Sequence, residues 1–310
     1  MPLKKIRFGT SGWRGIMADD FTFDRVRAAV GAIADYVRGQ NPKNPQLVVG
    51  YDTRFLSEEF SRTAVEVLAE HGVRSLLCRQ PTPTPTIAHE IRRRKADGGI
   101  NFTASHNPAE YNGLKFSTPD GAPALPEVTR ELEKLAEKHL AAPPAQPSAA
   151  PSLPAEEIDP VPDYLETLAG KIDVAEIQRS RLRVAYDPLY GTGAGVLDRF
   201  LKERGIEVHT IHAHRDVLFG GHAPEPADEI LEGLRETLRA TGAQVGLSTD
   251  GDADRFGILD ADGAFISPNH IIALLLDYLR ETRPHWPRGV ARSVATTHLV
   301  DAVARHHRVP

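Results

Sequence analysis

Residues 47–78 read LVVGYDTRFLSEEFSRTAVEVLAEHGVRSLLC, and this stretch decides the fold class. Its first six residues form an apolar run typical of a buried strand. Residues 57–71 have helical spacing that stops at Gly72, and residues 73–78 form a second apolar run. The helix TIAHEIRRRK and the strand GGINF then repeat this order. The alternation predicts an α/β protein with a mostly parallel sheet covered by helices, in which ligands bind at the carboxyl ends of the strands.

The same alternation continues in the second half of the chain. Apolar runs typical of strands occur at LRVAYD (182–187), IEVHTIH (206–212) and QVGLSTD (244–250), with helical patterns near 195–204 and 231–242. A third unit is predicted to hold a hairpin at 256–267, helices near 269–281 and 297–306, and a strand GVARSVA at 289–295. We therefore expect tandem α/β domains with mixed, mostly parallel sheets, and a third domain that is only partial.

A proline-rich segment divides the chain. Residues 143–162 contain seven prolines, which is incompatible with a helix or a central strand, so they are interpreted as a linker. The predicted division is domain 1 at 1–142, the linker at 143–162, domain 2 at 163–255 and a partial domain 3 at 256–310.

Composition excludes several protein classes. The 310 residues are 41% hydrophobic and 25% charged, as in ordinary globular proteins, and the net charge of −5 does not suit a general nucleic-acid binder. No apolar run approaches the ~18 residues that a membrane span requires, and the start MPLKK does not resemble an export signal. Cys78 is the one cysteine and lies in an apolar run, so a buried, inert thiol is expected. These features predict a cytoplasmic protein without nucleic-acid or membrane partners.

The strongest chemical signal is the acidic loop Asp250-Gly-Asp252-Ala-Asp254-Arg255, which directly follows an apolar strand. Three carboxylates at alternate positions can surround one ion, and all-oxygen ligands favour Mg²⁺ or Ca²⁺ over zinc. A calcium-hand loop does not fit, because Arg255 stands where its glycine is needed. An acidic surface turn is the alternative, but the position after a buried strand favours a divalent metal site.

A serine loop and a glycine-rich loop complete the signals. Ser105 lies in TASHNP, followed by Asn112-Gly-Leu-Lys115; taken alone, it is more often a turn serine than a nucleophile. Near the start, Gly9-Thr10-Ser11-Gly12-Trp13-Arg14-Gly15 combines small residues with an arginine able to grip a phosphate. A further turn, Gly191-Thr-Gly193-Ala-Gly195, has its third glycine one residue early for a dinucleotide fingerprint, so it is interpreted as a turn before a helix.

Taken in order, FGTSGWRG, TASHNPAEYNGLKF and DGDADRFGILD resemble the motifs of the α-D-phosphohexomutases, the family of phosphoglucomutase and phosphomannomutase. The resemblance covers residues 6–310. It implies that Ser105 is a phosphoserine, and that Ser105, Asp250, Asp252 and Asp254 hold Mg²⁺. It also implies that Arg14 and Arg255 bind the transferred phosphate near Thr10 and Ser11, that Lys115 is the general acid/base, and that His106 adjoins the phosphoserine.

The resemblance implies an isomerase of carbohydrate metabolism. Phospho-Ser105 would interconvert hexose 1-phosphate and hexose 6-phosphate through a sugar 1,6-bisphosphate. The same bisphosphate would also phosphorylate Ser105 in enzyme that lacks the phosphate. The motif ASHNPAEYNGLKF resembles that of bacterial phosphoglucomutases, so glucose is the expected sugar, with mannose and glucosamine as alternatives. The residues alone also permit an aspartyl phosphotransferase or phosphatase with Asp250 as nucleophile, or a non-catalytic sugar-phosphate-binding protein.

The resemblance also implies a longer chain than this one. No Gly-Glu-x-Ser-Gly-like sugar loop occurs before Pro310, and a fourth domain that would grip the substrate's second phosphate is not represented. We therefore expect the 310-residue chain to be a catalytically impaired fragment. The pattern says nothing about its oligomeric state.

Overall fold

Two sheets follow one another along the chain in the computed structural model, which describes residues 5–9, 11–142, 153–283, 285–286 and 289–310. The strands of the first sheet are β1 (Trp13–Ile16), β2 (Gln46–Tyr51), β3 (Arg74–Cys78), β4 (Gly99–Phe102), β5 (Tyr111–Ser117) and β6 (Glu156–Ile158). Their order is β1-β5-β4-β2-β3-β6. The β4-β2-β3-β6 part is parallel, and at the other side β5 pairs antiparallel with both β4 and β1. The predicted α/β class with mixed, mostly parallel sheets is confirmed.

Helices cover both faces of the first sheet. They are α1 (Phe23–Gln40), α2 (Ser57–Glu70), α3 (Thr84–Arg94) and α4 (Pro126–Ala141). The residues of α1, α2 and α4 share one apolar core with the sheet, while α3 covers the other face through Ile87 and Ile91. In α2, Phe60, Ala64 and Leu68 recur every four residues and are buried, which is the spacing of a one-sided helix.

The second sheet is built in the same way. Its strands are β7 (Arg183–Asp187), β8 (Glu207–Thr210), β9 (Val245–Thr249), β10 (Phe256–Asp260) and β11 (Phe265–Ile266), in the order β11-β10-β9-β7-β8. Its helices are α5 (Val161–Ala169), α6 (Val174–Ser180), α7 (Leu197–Lys202) and α8 (Glu232–Thr241). Strands β8, β7 and β9 are parallel, so the loops after β7 and β9 lie at the same edge.

The hairpin after the acidic loop lies in this second sheet. Strand β10 pairs antiparallel with β9 over its whole length, and β11 pairs with β10. The boundary expected between residues 255 and 256 therefore falls inside one sheet. Pairing between strands is non-local, so the pattern of 256–267 predicted the hairpin but not the sheet that it joins.

The proline-rich linker also differs from its prediction. Residues 143–152 lie outside the described residues, but residues 156–158 form β6, which pairs in parallel with β3, and α5 begins at Val161. Proline is tolerated beside an edge strand and in the first turn of a helix, because neither position needs its missing N–H group. Proline density therefore concealed two short elements.

The last unit consists of α9 (Pro268–Thr282) and α10 (Leu299–His306), which pack on each other. The strand expected at 289–295 does not form. Instead, the Val290 N–H donates to the carbonyl of Pro310 at 2.9 Å, and Val294 is fully exposed. Within the described ranges, no helix has the length and apolar character needed to cross a membrane.

Candidate active site

The serine loop joins β4 to β5 and is held in an unusual backbone conformation. Ser105 has a positive φ of 54°, a left-handed conformation that costs on the order of 1 kcal/mol for a residue with a side chain. Its N–H donates to Thr103 Oγ1 at 2.8 Å, and only 1% of the residue is exposed. The loop thus presents one buried hydroxyl in a fixed direction.

The side chain of a buried arginine, Arg54, binds the backbone of this loop. Arg54 is 0% exposed and lies just after β2, where its Nε donates to Asp52 Oδ2 at 3.1 Å. Its two terminal nitrogens donate to four carbonyl oxygens of the loop, those of Ser105 (2.6 Å), Asn107 (2.6 Å), Pro108 (2.8 Å) and Tyr111 (3.0 Å). A buried guanidinium is tolerated because its donors are satisfied and Asp52 balances its charge. The sequence analysis missed Arg54; its one signal was its place directly after a strand that ends in aspartate.

The acidic loop follows β9 and curls around its first carboxylate. Asp250 Oδ1 accepts the N–H groups of Asp254 and Arg255, both at 3.0 Å. Asp250 and Asp252 are fully buried, and one oxygen from each of Asp250, Asp252 and Asp254 lies within 4.8 Å of the others. The alternate spacing in the sequence therefore does bring three carboxylates together.

The glycine turn after β7 supports the acidic loop. The Thr192 N–H donates to the Gly251 carbonyl at 3.0 Å. A Cβ on Gly191 would lie 2.7 Å from that same carbonyl oxygen, closer than real Cβ atoms approach. Gly191 thus permits a close backbone contact between two loops, which is the structural account of the glycine pattern there.

The serine loop and the acidic loop meet directly, although they belong to different sheets. Ser105 Oγ donates to Asp250 Oδ2 at 2.8 Å across a sequence separation of 145 residues. A Cβ on Gly251 would lie 2.7 Å from the Ser105 carbonyl oxygen, so glycine is needed for this approach. A hydroxyl and a three-carboxylate loop therefore form one site between the two domains.

Lys115 supplies positive charge to this site from β5. Its Nζ lies 2.6 Å from Asp252 Oδ2 and 2.8 Å from Asp254 Oδ2. Burial disfavours the ammonium, but the two carboxylates outweigh burial and raise the pKa of Lys115. Burial likewise opposes the Asp252 carboxylate, yet Lys115 and a hydrogen bond from Thr84 Oγ1 hold the pKa of Asp252 below its usual value. Lys115 is therefore a protonated cation at neutral pH.

Asp250 has the opposite electrostatic situation. Burial, and then repulsion from Asp252 and Asp254, raises the pKa of Asp250 to about 7. A hard divalent cation would relieve this repulsion, and all-oxygen donors are the ligands that such a cation prefers. Buried Asp252 Oδ1 has no hydrogen-bond partner among the described residues, so this carboxylate keeps an unused acceptor. The residues present fit a Mg²⁺-type ion.

The N-terminal loop contributes Arg14 through β1. Arg14 pairs in register with Gly113 of β5, and its Nη1 donates to Asn107 Oδ1 of the serine loop. Gly12 has φ 97°, and a Cβ there would lie 2.5 Å from the Leu114 carbonyl oxygen. Ser11 lines a cavity of ≈ 90 Å³ together with Lys115 and Asp254. Thr10 lies outside the described residues.

Two predicted site residues are less directly engaged. His106 Nδ1 is 3.5 Å from Ser105 Oγ, a long contact, and burial, followed by the charge of Arg255, lowers the pKa of His106. The Arg255 guanidinium pairs with Glu225 at 3.4 Å and is partly exposed. Its backbone N–H, rather than its side chain, is what it contributes to Asp250 in this structure.

Comparison with known proteins gives one family for both domains. Two family models match: "Phosphoglucomutase/phosphomannomutase, alpha/beta/alpha domain I" at residues 5–142 and "alpha/beta/alpha domain II" of the same family at 162–263. The chain is 32% identical to a Thermococcus kodakarensis "Phosphoglucomutase/phosphomannomutase" over 97% of its own length and 64% of the relative. It is 29% identical to a Komagataeibacter xylinus "Phosphoglucomutase" over 97% of itself and 59% of that protein.

A solved structure has the same fold. The crystal structure of a "putative phosphomannomutase" from Thermus thermophilus superposes with a TM-score of 0.85 at 32% identity, covering 97% of this chain and 67% of that one. A further relative at 32% identity, from Methanopyrus kandleri, is named "Probable phosphoglucosamine mutase"; this chain covers 63% of it. The chain thus spans about 60% of the length of the curated relatives that it matches.

Proposed function

This chain belongs to the phosphoglucomutase/phosphomannomutase family, and on that premise we propose that it carries the phosphoryl-transfer half of a hexose phosphomutase site. In this proposal Ser105 is phosphorylated and exchanges its phosphoryl group with hexose 1-phosphate and hexose 6-phosphate through a sugar 1,6-bisphosphate. The observation that carries the proposal is the hydrogen bond from Ser105 Oγ to Asp250 Oδ2 at 2.8 Å. It places an acceptor hydroxyl against the acidic loop, as phosphoryl transfer with a divalent cation requires.

The charges of the site support the proposal. Asp250, Asp252, Asp254 and the phosphate on Ser105 would hold Mg²⁺. When bound, the ion offsets negative charge on the phosphoryl oxygens. Lys115 and Arg14 add fixed positive charge from β5 and β1, and such preorganised charge stabilises a phosphoryl group in transit.

Proton movement is assigned to Lys115. When the phosphoryl group passes from a sugar oxygen to Ser105, the O–P bond to the sugar breaks and the sugar oxygen needs a proton. The Lys115 ammonium, kept charged by Asp252 and Asp254, can donate it. The Ser105 hydroxyl gives its own proton to Asp250 Oδ2, to which it already donates. In the opposite direction the attacking sugar hydroxyl returns its proton to the Lys115 amine left by the forward step, and Ser105 Oγ takes its proton back from Asp250 as the Oγ–P bond breaks.

An aspartyl phosphotransferase with Asp250 as nucleophile is disfavoured by geometry. Asp250 Oδ1 accepts two backbone N–H groups and Oδ2 accepts the Ser105 hydroxyl. Both oxygens of Asp250 are therefore engaged in hydrogen bonds. A nucleophile needs a free oxygen that a phosphorus atom can approach.

The sugar and the extent of activity belong to the proposal as well. Relatives named phosphoglucomutase, phosphomannomutase and phosphoglucosamine mutase all match, and we propose glucose, with mannose and glucosamine as alternatives. Binding of a remote phosphate helps position the reacting hydroxyl, and these 310 residues span about 60% of their relatives' length. For this 310-residue polypeptide we therefore propose turnover about 10³-fold slower than for a full-length relative. A coupled assay of kcat/KM on the three 1-phosphates checks both points.

Labelling tests the nucleophile directly. Incubation with ³²P-labelled glucose 1,6-bisphosphate and Mg²⁺ is expected to label the wild-type chain and the control Ser180→Ala, and to leave Ser105→Ala unlabelled. The label should survive hydroxylamine, since a phosphoserine does and an acyl phosphate does not. Label retained on Ser105→Ala, or lost to hydroxylamine, contradicts the proposal. Binding of hexose phosphate without any labelling would indicate the sugar-phosphate-binding alternative.

A further inference from the structure

A second group of metal-binding side chains lies where three helices of the first domain meet. It consists of Asp35 on α1, His71 directly after α2, and His139 in the last turn of α4. His139 Nε2 is 2.8 Å from Asp35 Oδ2, and His71 Nε2 is 3.9 Å from Asp35 Oδ1. One ligand atom of each residue lies within 4.8 Å of the other two. The proposed phosphomutase function makes no use of this group.

The His71 ring is oriented as a ligand. Its Nδ1 lies 2.9 Å from the Val67 carbonyl oxygen, and because a carbonyl only accepts, Nδ1 carries the proton. In the neutral ring, Nε2 therefore presents its lone pair toward Asp35. Metal-binding histidines are typically fixed in this way, with the remaining ring nitrogen donating to a carbonyl or a carboxylate.

The His139 ring packs against α1 at Gly31. A Cβ on Gly31 would lie 2.9 Å from His139 Cε1, so the ring in its present position occupies the space that glycine leaves on α1. The rings of His71 and His139 lie 5.6 Å apart between centroids. Asp35 and His139 thus project from helical backbone and His71 from the residue directly after α2, and the three side chains are only partly exposed (25% for His71, 26% for His139 and 42% for Asp35).

The helix ends favour a cation at this point. α2 ends at Glu70, immediately before His71, and α4 ends at Ala141, two residues after His139. The carboxyl end of a helix carries partial negative charge, so two helix ends contribute in addition to the Asp35 carboxylate. The environment therefore favours positive charge between the two rings.

We propose that Asp35, His71 and His139 bind one divalent transition-metal ion of the zinc class. Two imidazoles and one carboxylate are a ligand set that suits Zn²⁺ and excludes a preference for Mg²⁺ or Ca²⁺, and the fourth position is left to water. Coordination replaces the hydrogen bond between His139 Nε2 and Asp35 Oδ2, and the neutral His139 ring then carries its proton on Nδ1. The ion links α1, α2 and α4, so its effect is to stabilise the helical face of the first domain.

Cobalt serves as the probe, because Co²⁺ in a low-coordinate site with nitrogen ligands absorbs visible light more strongly than Co²⁺ in an octahedral oxygen site. With Mg²⁺ in excess to occupy the acidic loop, Co²⁺ titrated into the wild-type chain is expected to give a visible band that saturates at one equivalent. His71→Gln and His139→Gln should weaken Co²⁺ binding at least about tenfold. Asp35→Asn, a change of one atom at a partly exposed residue, should do the same without disturbing the fold.

Two controls separate this site from the rest of the protein. His298 pairs with Asp301 at 2.9 Å but belongs to no three-ligand group within the described residues, so His298→Gln should keep the band. Asp250→Asn should keep it as well, whatever it does to Ser105 labelling. Zn²⁺ should raise the Tm of the wild type and of both controls but not of His71→Gln. A missing band in the wild type, a band unchanged in both histidine variants, or a band lost in Asp250→Asn overturns the proposal.

Discussion

Arg54 Nη2 donates to the Ser105 carbonyl oxygen at 2.6 Å, so the residue proposed as nucleophile is held through its backbone by a fully buried charge. The positive φ of Ser105 needs such support, because the left-handed conformation is unfavourable on its own. Arg54 also receives contacts from the second domain: Arg215 donates to its carbonyl at 3.1 Å, and Phe219 packs against its guanidinium at 4.9 Å. The support of the serine loop is therefore shared between the two domains.

Replacing Arg54 by methionine is expected to destabilise the chain and to slow Ser105 labelling. The substitution leaves Asp52 as a buried carboxylate without its cation, and breaking a buried pair in this way costs about 3 kcal/mol or more. Urea denaturation measures the free energy of unfolding. The matched control Arg62→Met removes an exposed i,i+4 pair and should cost less than about 0.5 kcal/mol. Equal losses in the two variants would show that Arg54 has no special role.

Gly251→Ala is expected to separate the serine loop from the acidic loop. Its Cβ would meet the Ser105 carbonyl oxygen at 2.7 Å, a contact with backbone that cannot move aside easily. We expect the rate of ³²P labelling of Ser105 to fall at least about tenfold, since small displacements of reacting groups are costly. The control Gly39→Ala lies in α1 with no atom within 4 Å of its Cβ and should label normally. Unchanged labelling in Gly251→Ala would mean that the two loops need not touch.

Lys115→Met is expected to strengthen Mg²⁺ binding while weakening phosphoryl transfer. The Lys115 ammonium contacts the same two carboxylates that would hold the ion, so it competes with Mg²⁺ for Asp252 and Asp254. Calorimetric titration should therefore give a lower Kd for Mg²⁺ in the variant than in the wild type. Labelling should fall about 10²-fold, the usual contribution of a general acid. The exposed Lys134→Met is the control, and weaker Mg²⁺ binding in Lys115→Met would contradict the competition.

Cys78 is expected to be unreactive in the native protein. It is 1% exposed at the end of β3, and burial raises the pKa of the Cys78 thiol to about 12. The reactive thiolate is thus a minute fraction at pH 8, and labelling by a disulfide reagent should be at least about 10³-fold slower than in urea. One thiol per chain should react after unfolding. Rapid reaction of the folded chain would show that β3 opens readily.

The sequence predicted those parts of the site whose residues lie close together in the chain. Three aspartates at alternate positions after a strand imply a common ligand cluster, and the structure places their oxygens together. It did not predict Arg54, because Arg54 binds carbonyl oxygens of residues 105–111, and any residue type supplies those. Nor could spacing predict that the Arg255 side chain pairs with Glu225, since that contact depends on how two distant loops approach each other.

The fold was predictable to a similar extent. Apolar runs identified β2, β4 and β7, which are buried on both faces and therefore have continuous apolar sequences. Apolar runs also identified β3 and β9, which are buried only in part. Strand β6 was not predicted, because it contains only Glu156, Glu157 and Ile158 and has a single buried side chain. The domain boundary at 255/256 was misplaced because strand pairing, not local pattern, decides which sheet a hairpin joins.

Strand β6 also has a practical consequence for dividing this chain. Residues 156–158 come after the match to the first domain ends at 142, yet they complete the first sheet by pairing with β3. A recombinant first domain that stops at 142 would expose the backbone N–H and C=O groups of β3 as an open edge, and open edges recruit other chains into aggregates. A fragment extended to Asp159 keeps β6, which pairs with that edge of β3. The first sheet thus extends one strand beyond the residues that the family model matches.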